Sequence, residues 1–166
     1  MSVSEWAAWG GLGLGVINAS RDILRYRREQ RSKYVADVRP IVHALMSSIQ
    51  QIETNPNWQW DTFLPHEVAV FNSIIENGEA LAMNYHRVKQ DSVQADMREV
   101  FELSIQLHDC MQMARDASSS IYSTDQRTGL DPRKVHPDGA VTVASQKCNA
   151  VLANLSNATC KLNARL

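Results

Sequence analysis

VADVRPIVHALMSSIQQI, residues 35–52, carries apolar side chains at Val35, Val38, Val42, Leu45, Ile49 and Ile52, in alternating steps of three and four. A half-buried strand alternates at every second residue. Steps of three and four instead put all of these side chains on one face of a helix, with the spacing of a bundle helix. Such a stripe is stable only when other helices cover it. Pro40 falls inside the stripe, and a proline removes one backbone donor and crowds the preceding turn, so a kink or break is expected near it.

Downstream, the same rhythm returns three times. Residues 54–64, TNPNWQWDTFL, form a connection: Asn55-Pro56 is a turn signal, Pro65 suits the first turn of a helix, and Asp61 or Thr62 is a candidate cap. A second helix is predicted from Pro65 to Gln90, with Val68, Phe71, Ile75, Gly78, Ala82 and Tyr85 as its stripe and Ile74, Leu81 and Val88 beside it. Gly78 in a helix interior costs stability relative to alanine, which points to close approach of another helix. A third helix, capped by Asp91 or Ser92, has the stripe Val93, Met97, Val100, Ser104, Leu107, Met111 and Ala114 and is expected to reach Ile121. Residues 124–139, TDQRTGLDPRKVHPDG, read as an irregular loop. A last helix from Ala140 to Leu162 has the stripe Val141, Ala144, Cys148, Val151, Leu155, Ala158 and Leu162. The expected fold is all-α, an antiparallel four-helix bundle over residues 35–166.

Upstream, the chain changes character. Residues 20–33, SRDILRYRREQRSK, include Arg21, Arg25, Arg27, Arg28, Arg31 and Lys33, a basic juxtamembrane segment spanning 21–34 in this reading. Before it lies WAAWGGLGLGVINA, residues 6–19, a glycine-rich apolar run within a membrane-anchor helix at 1–20. At 1.5 Å per residue the run covers about 21 Å, short of a hydrocarbon core of roughly 30 Å. Other features favour lipid. Trp6 and Trp9 sit where amphipathic rings meet headgroups, and Leu12, Leu14, Val16 and Ile17 supply the apolar surface. Ala7, Gly11, Gly15 and Ala19 recur every four residues, a small-residue face through which two such helices can associate. The basic collar matches anionic lipid, and the positive-inside rule puts the N-terminus outside with a cytoplasmic body. The alternatives are a helix buried against the body of a cytoplasmic protein and an amphipathic segment lying on the membrane, and a cleaved signal peptide is disfavoured by Glu5 in place of an early positive charge.

Net charge is −1 over 166 residues, so no electrostatic signature of nucleic-acid binding is present. The distribution is uneven. Residues 1–39 hold seven Lys/Arg against four Asp/Glu, and residues 40–166 hold ten against fourteen. Cys110, Cys148 and Cys160 are expected to be reduced structural thiols, with Cys148 and Cys160 roughly 18 Å apart along one helix.

Chemistry is scarce in the sequence. A di-iron bundle needs Glu-x-x-His pairs, and the residues three before the histidines are Pro40, Phe63, Met83, Ile105 and Arg133. No C-x-x-C or H-E-x-x-H occurs, and the glycine run lacks the Lys-Ser/Thr of a phosphate loop. No nucleophile elbow is present either. The sequence therefore predicts no catalytic residue, no metal and no cofactor.

The expected function is a non-enzymatic, membrane-anchored helical adaptor that self-associates through its N-terminal helix and meets a protein partner. Trp58, Trp60, Arg133, Lys134 and His136 are the candidate partner contacts, with the two tryptophans alternatively plugging the end of the bundle. Two other readings stand beside it. One is a membrane-perturbing effector of the defence, toxin or phage-exclusion type with a helical sensor body. The other is a soluble assembly protein whose first helix packs between subunits.

Overall fold

A computed structural model describes the backbone of residues 3–128 and 139–166, and the side chains of residues 19–119 and 139–166 except 27 and 30–32. The described protein is all-helical, with α1 at Val3–Thr54, α2 at Pro65–Asn84, a 3-10 turn at Tyr85–Arg87, α3 at Asp91–Thr128 and α4 at Gly139–Arg165. The chain divides into two compact units, Met1–Asp37 and Val38–Leu166.

In the first unit, residues 19–37 are helical and no described side chain among them is buried. Arg25 Nε lies 3.2 Å from Glu29 Oε1, one turn along the helix.

In the second unit the three-four stripes form the core. Val38, Val42, Leu45, Ile49 and Ile52 of α1 are buried. The helix assignment runs through Pro40 without the expected break. Proline frees the carbonyl of Ala36, and Ala36 and Pro40 are both exposed, so water can take up that acceptor. α1 ends where Thr54 Oγ1 donates to the Gln50 carbonyl at 2.7 Å and Asn55 Oδ1 accepts from the Asn57 N–H at 3.0 Å.

The expected cap of α2 is corrected. The N-cap is Leu64, and the Glu67 carboxylate reaches back to accept its N–H at 2.9 Å. Asp61 instead accepts from Ser118 Oγ of α3 at 3.2 Å. The stripe of α2 is turned by one position from the predicted one. Glu67, Phe71, Ile74, Gly78 and Leu81 are buried, while Val68 is exposed and Ile75 and Ala82 are half-buried. Both rotations share Phe71 and Gly78; Ile74 and Ile75 are equal in size, and Leu81 in place of Ala82 puts the larger side chain inside.

α2 also stops six residues before Gln90, giving way to the 3-10 turn and an extended, buried Val88. Gln94 Nε2 donates to the carbonyls of Tyr85 and Val88 and so closes this corner. Neither Asp91 nor Ser92 lies outside α3 as a cap; the N–H groups of Val93 and Gln94 donate to the Gln90 carbonyl at 3.0 Å.

α3 buries Val93, Met97, Val100, Ser104, Leu107, Met111 and Ala114, the predicted stripe residue for residue. It continues past Ile121 to Thr128. α4 buries Ala144, Cys148, Leu152, Leu155, Ala158, Thr159 and Leu162.

Three sets of contacts fix the directions. Ser48 Oγ of α1 donates to Ser73 Oγ of α2 at 3.0 Å, and Asn55 Nδ2 donates to Glu67 Oε1 at 3.1 Å, so these helices run antiparallel. A Cβ on Gly78 would stand 2.8 Å from Ser104 Oγ and 2.9 Å from Ser104 Cβ, which is the close approach that glycine permits between α2 and α3. Between α3 and α4, Lys161 Nζ lies 2.9 Å from Asp96 Oδ1 and 3.1 Å from Glu99 Oε2. Arg165 Nη1 lies 2.9 Å from Asp96 Oδ2 and donates to the Ser92 carbonyl at 3.1 Å. The start of α3 is thus clasped to the end of α4.

Candidate functional site

The cationic segment of α1 is the first candidate. Arg21, Arg25, Arg28 and Lys33 are exposed, and so is Ala19 of the small-residue face. Among them stand Ile23 and Leu24, each 55 % exposed, and Tyr26 at 56 %. A helix segment that exposes cations together with apolar groups is suited to the interface of an anionic bilayer, where ring and aliphatic carbon enter the headgroup layer and the charges meet phosphate. The side chains of Trp6, Ala7, Trp9, Gly11, Leu12, Leu14, Gly15, Val16, Ile17, Arg27 and Arg31 lie outside the described residues. Among the described residues no helix is long and apolar enough to cross a membrane.

The second candidate is the connection between α1 and α2. Its aromatic rings form a relay: Trp58 packs edge-on against Trp60 and Phe63 at 5.8 and 5.5 Å, Phe63 lies 6.0 Å from Phe71, and Phe71 stacks on His108 of α3 at 6.2 Å. Trp60 is only 3 % exposed, and its indole N–H donates to Asn149 Oδ1 of α4 at 2.7 Å. This ring is buried against α4 and offers a partner almost no surface. Trp58 is half-buried, and its indole N–H is enclosed with no acceptor among the described residues. A cleft of 310 Å³ borders Trp58 and is lined also by Ile52, Glu53, Asn55, Asn149, Leu152 and Ala153. The outward-facing apolar group of this connection is Leu64, 56 % exposed.

The loop candidates Arg133, Lys134 and His136 lie outside the described residues.

Sequence reasoning missed the charged clasp at Asp96, because its partners stand more than sixty residues away. Asp96 is buried, while Lys161 and Arg165 are about half exposed. The hydrogen bonds from Lys161 to Asp96, then to Glu99, raise the Lys161 ammonium above its ordinary value. A second open groove, of 410 Å³, runs beside the clasp between Glu99, Glu102, Leu103, Gln106, Asn154 and Asn157. Its acids are engaged: Glu102 pairs with Arg98 at 2.8 Å and Glu99 with Lys161.

Of the thiols, Cys148 is buried, Cys110 half-buried and Cys160 exposed. Burial pushes the Cys148 thiol up to about 12, with the neighbouring Cys110 adding to the rise. Among the described residues no three His, Cys, Asp or Glu side chains group as metal ligands. The chain matches no protein-family model, no curated protein and no solved structure.

Proposed function

We propose that this protein is a non-enzymatic helical adaptor, held at a membrane by its N-terminal unit and presenting an antiparallel four-helix bundle to a protein partner. The observation that carries the reading is the open face of residues 19–33: Ile23, Leu24 and Tyr26 stand free among Arg21, Arg25, Arg28 and Lys33. Exposing three large apolar groups beside a row of cations is costly in water and favourable at an anionic interface. The bundle reading is supported by buried stripes on all four helices and by antiparallel contacts between successive ones. The proposal includes self-association through the small-residue face of Ala7, Gly11, Gly15 and Ala19, with the body on the cytoplasmic side. For the partner, the outer side of the 55–64 connection around Leu64 is the contact surface.

Vesicle flotation with the full-length protein tests the membrane role. The protein is expected to float with vesicles of phosphatidylcholine and phosphatidylglycerol and to float less with phosphatidylcholine alone. Each cation near an anionic surface is worth about 1 kcal/mol, so replacing Arg21, Arg25, Arg28 and Lys33 by Gln weakens partition on the order of a hundredfold or more. Protein that stays at the bottom of the gradient with both vesicles rejects the reading.

A further inference from the structure

The clasp between α3 and α4 sets a register that reaches well beyond the charged residues. In an antiparallel pair, each step forward along α3 is matched by a step back along α4. From Asp96 to Cys110 is fourteen residues; from Lys161 to Cys148 is thirteen. At 1.5 Å per residue these distances are about 21 and 20 Å, so the two cysteines come level. The same register is repeated by the groove, where Leu103 of α3 shares a wall with Asn154 and Asn157 of α4. The backbones of α3 and α4 approach within 8 Å, and their shared faces carry small side chains, Ala114, Ala144 and Ala158, where bulkier ones would hold the helices apart. A disulfide needs Cα atoms within about 7 Å, a span that only level residues on the packed faces of such a pair can meet. Electrostatic coupling of Cys110 to Cys148 agrees with that placement.

We infer that Cys110 and Cys148 form a redox modification site, closing a reversible disulfide across α3 and α4. The oxidant is a hydroperoxide. The half-buried Cys110 is the residue it reaches: the thiolate sulfur attacks the terminal oxygen, the O–O bond breaks, and the alcohol or water leaves with the thiol's proton. The sulfenic acid so formed sits opposite a fully enclosed thiol. The Cys148 sulfur then attacks the Cys110 sulfur, an S–S bond forms, the S–O bond breaks, and hydroxide leaves as water with the Cys148 proton. Two thiols are oxidised by one hydroperoxide, and a dithiol reverses the reaction. The bond closes a ring containing residues 111–147, which ties the end of α3 to the start of α4 and leaves the acidic clasp untouched. Cys160, exposed and on the far side of that ring in sequence, stays outside the pair.

The test uses full-length protein with Cys160→Ser, which removes intermolecular coupling through the exposed thiol. After treatment with hydrogen peroxide, the expected result is an intact mass lower by the mass of two hydrogens, a cross-linked peptide joining Cys110 to Cys148, a higher melting temperature, and return to the starting mass with dithiothreitol. Cys110→Ser and Cys148→Ser, each alone, remove the mass loss. Because Cys148→Ser places a hydroxyl in the core, Cys110→Ser provides the control at the half-buried position. Oxygen added at Cys110 without a cross-linked peptide overturns the inference, as does a protein whose mass does not change at peroxide concentrations that oxidise the exposed Cys160 of the unmodified chain.

Discussion

The two units are built from one kind of element and use it oppositely. Residues 19–37 are helical with no described side chain buried, whereas from Val38 onward each helix sinks a continuous apolar stripe. The compositions differ in pattern more than in amount. Ile23 and Leu24 are as oily as Ile49 and Leu45, but they are interleaved with arginines and exposed, while the latter pair recurs at three-four spacing and is buried. Helix formation is therefore common to both units, and burial is what separates them. Most helical stability in proteins comes from packing of an apolar face, and among the described side chains of residues 19–37 none is buried in such a face.

The most forceful way to break this contrast is to make the same change on both sides. Leu155→Ala, in the core of α4, is expected to cost about 3 kcal/mol, and Leu24→Ala in the exposed segment less than about 0.5 kcal/mol, read by urea unfolding of the full chain. Equal costs would mean that the first unit packs against something as well as the second does.

A smaller effect probes how tightly the second unit is built. Gly78→Ala raises helix propensity by about 1 kcal/mol yet drives a Cβ into Ser104, so the net expectation is destabilisation by about 1–2 kcal/mol. Adding Ser104→Gly removes both crowding atoms, and the double variant should be less destabilised than the two single costs added together. A Gly78→Ala protein that melts higher than the parent would show that the helices separate freely there.

Ion pairs sharpen the comparison further. Asp96→Asn disconnects a buried carboxylate from Lys161 and Arg165 and is expected to cost about 2 kcal/mol. Arg25→Gln breaks a pair whose side chains are 81 % and 58 % exposed, and a change within about 0.5 kcal/mol is expected from such a surface contact. Chemical denaturation of both variants in parallel reads the difference directly.

The two tryptophans of the connection give the finest test. Trp60→Phe loses the hydrogen bond to Asn149 and should cost about 1 kcal/mol; Trp58→Phe removes an indole N–H that has no described acceptor and should be neutral or slightly stabilising. A large loss at Trp58 would reveal an acceptor for that N–H.

The helical class and the stripe of α3 were legible from steps of three and four, and so was most of α1 and α4, although Val35, Val141 and Val151 are half-buried and Leu152 and Thr159 take the inside of α4 instead. α2 was harder: Val68, Ile75 and Ala82 compete with Glu67, Ile74 and Leu81 across the shared Phe71 and Gly78, and apolar periodicity penalises the rotation that buries an acid. Glu67 is inside because it holds Asn55 and the Leu64 N–H, two contacts that no local pattern announces. Gly78 was readable as a close approach, since a helix tolerates a central glycine mainly for packing. The clasp at Asp96 and the partner of Trp60 were not readable, being pairings between residues 65 and 89 positions apart that only the packed fold creates. The Cys110–Cys148 pairing belongs with them, because it follows from a register that the clasp defines.

Density-gradient flotation of a lysate from cells expressing the full-length protein tests the division between a segment that locates and a body that folds. The account predicts that the protein rises with the membranes and returns to the soluble fractions when detergent is added. Full-length protein recovered in the dense, membrane-free fractions without detergent would contradict it.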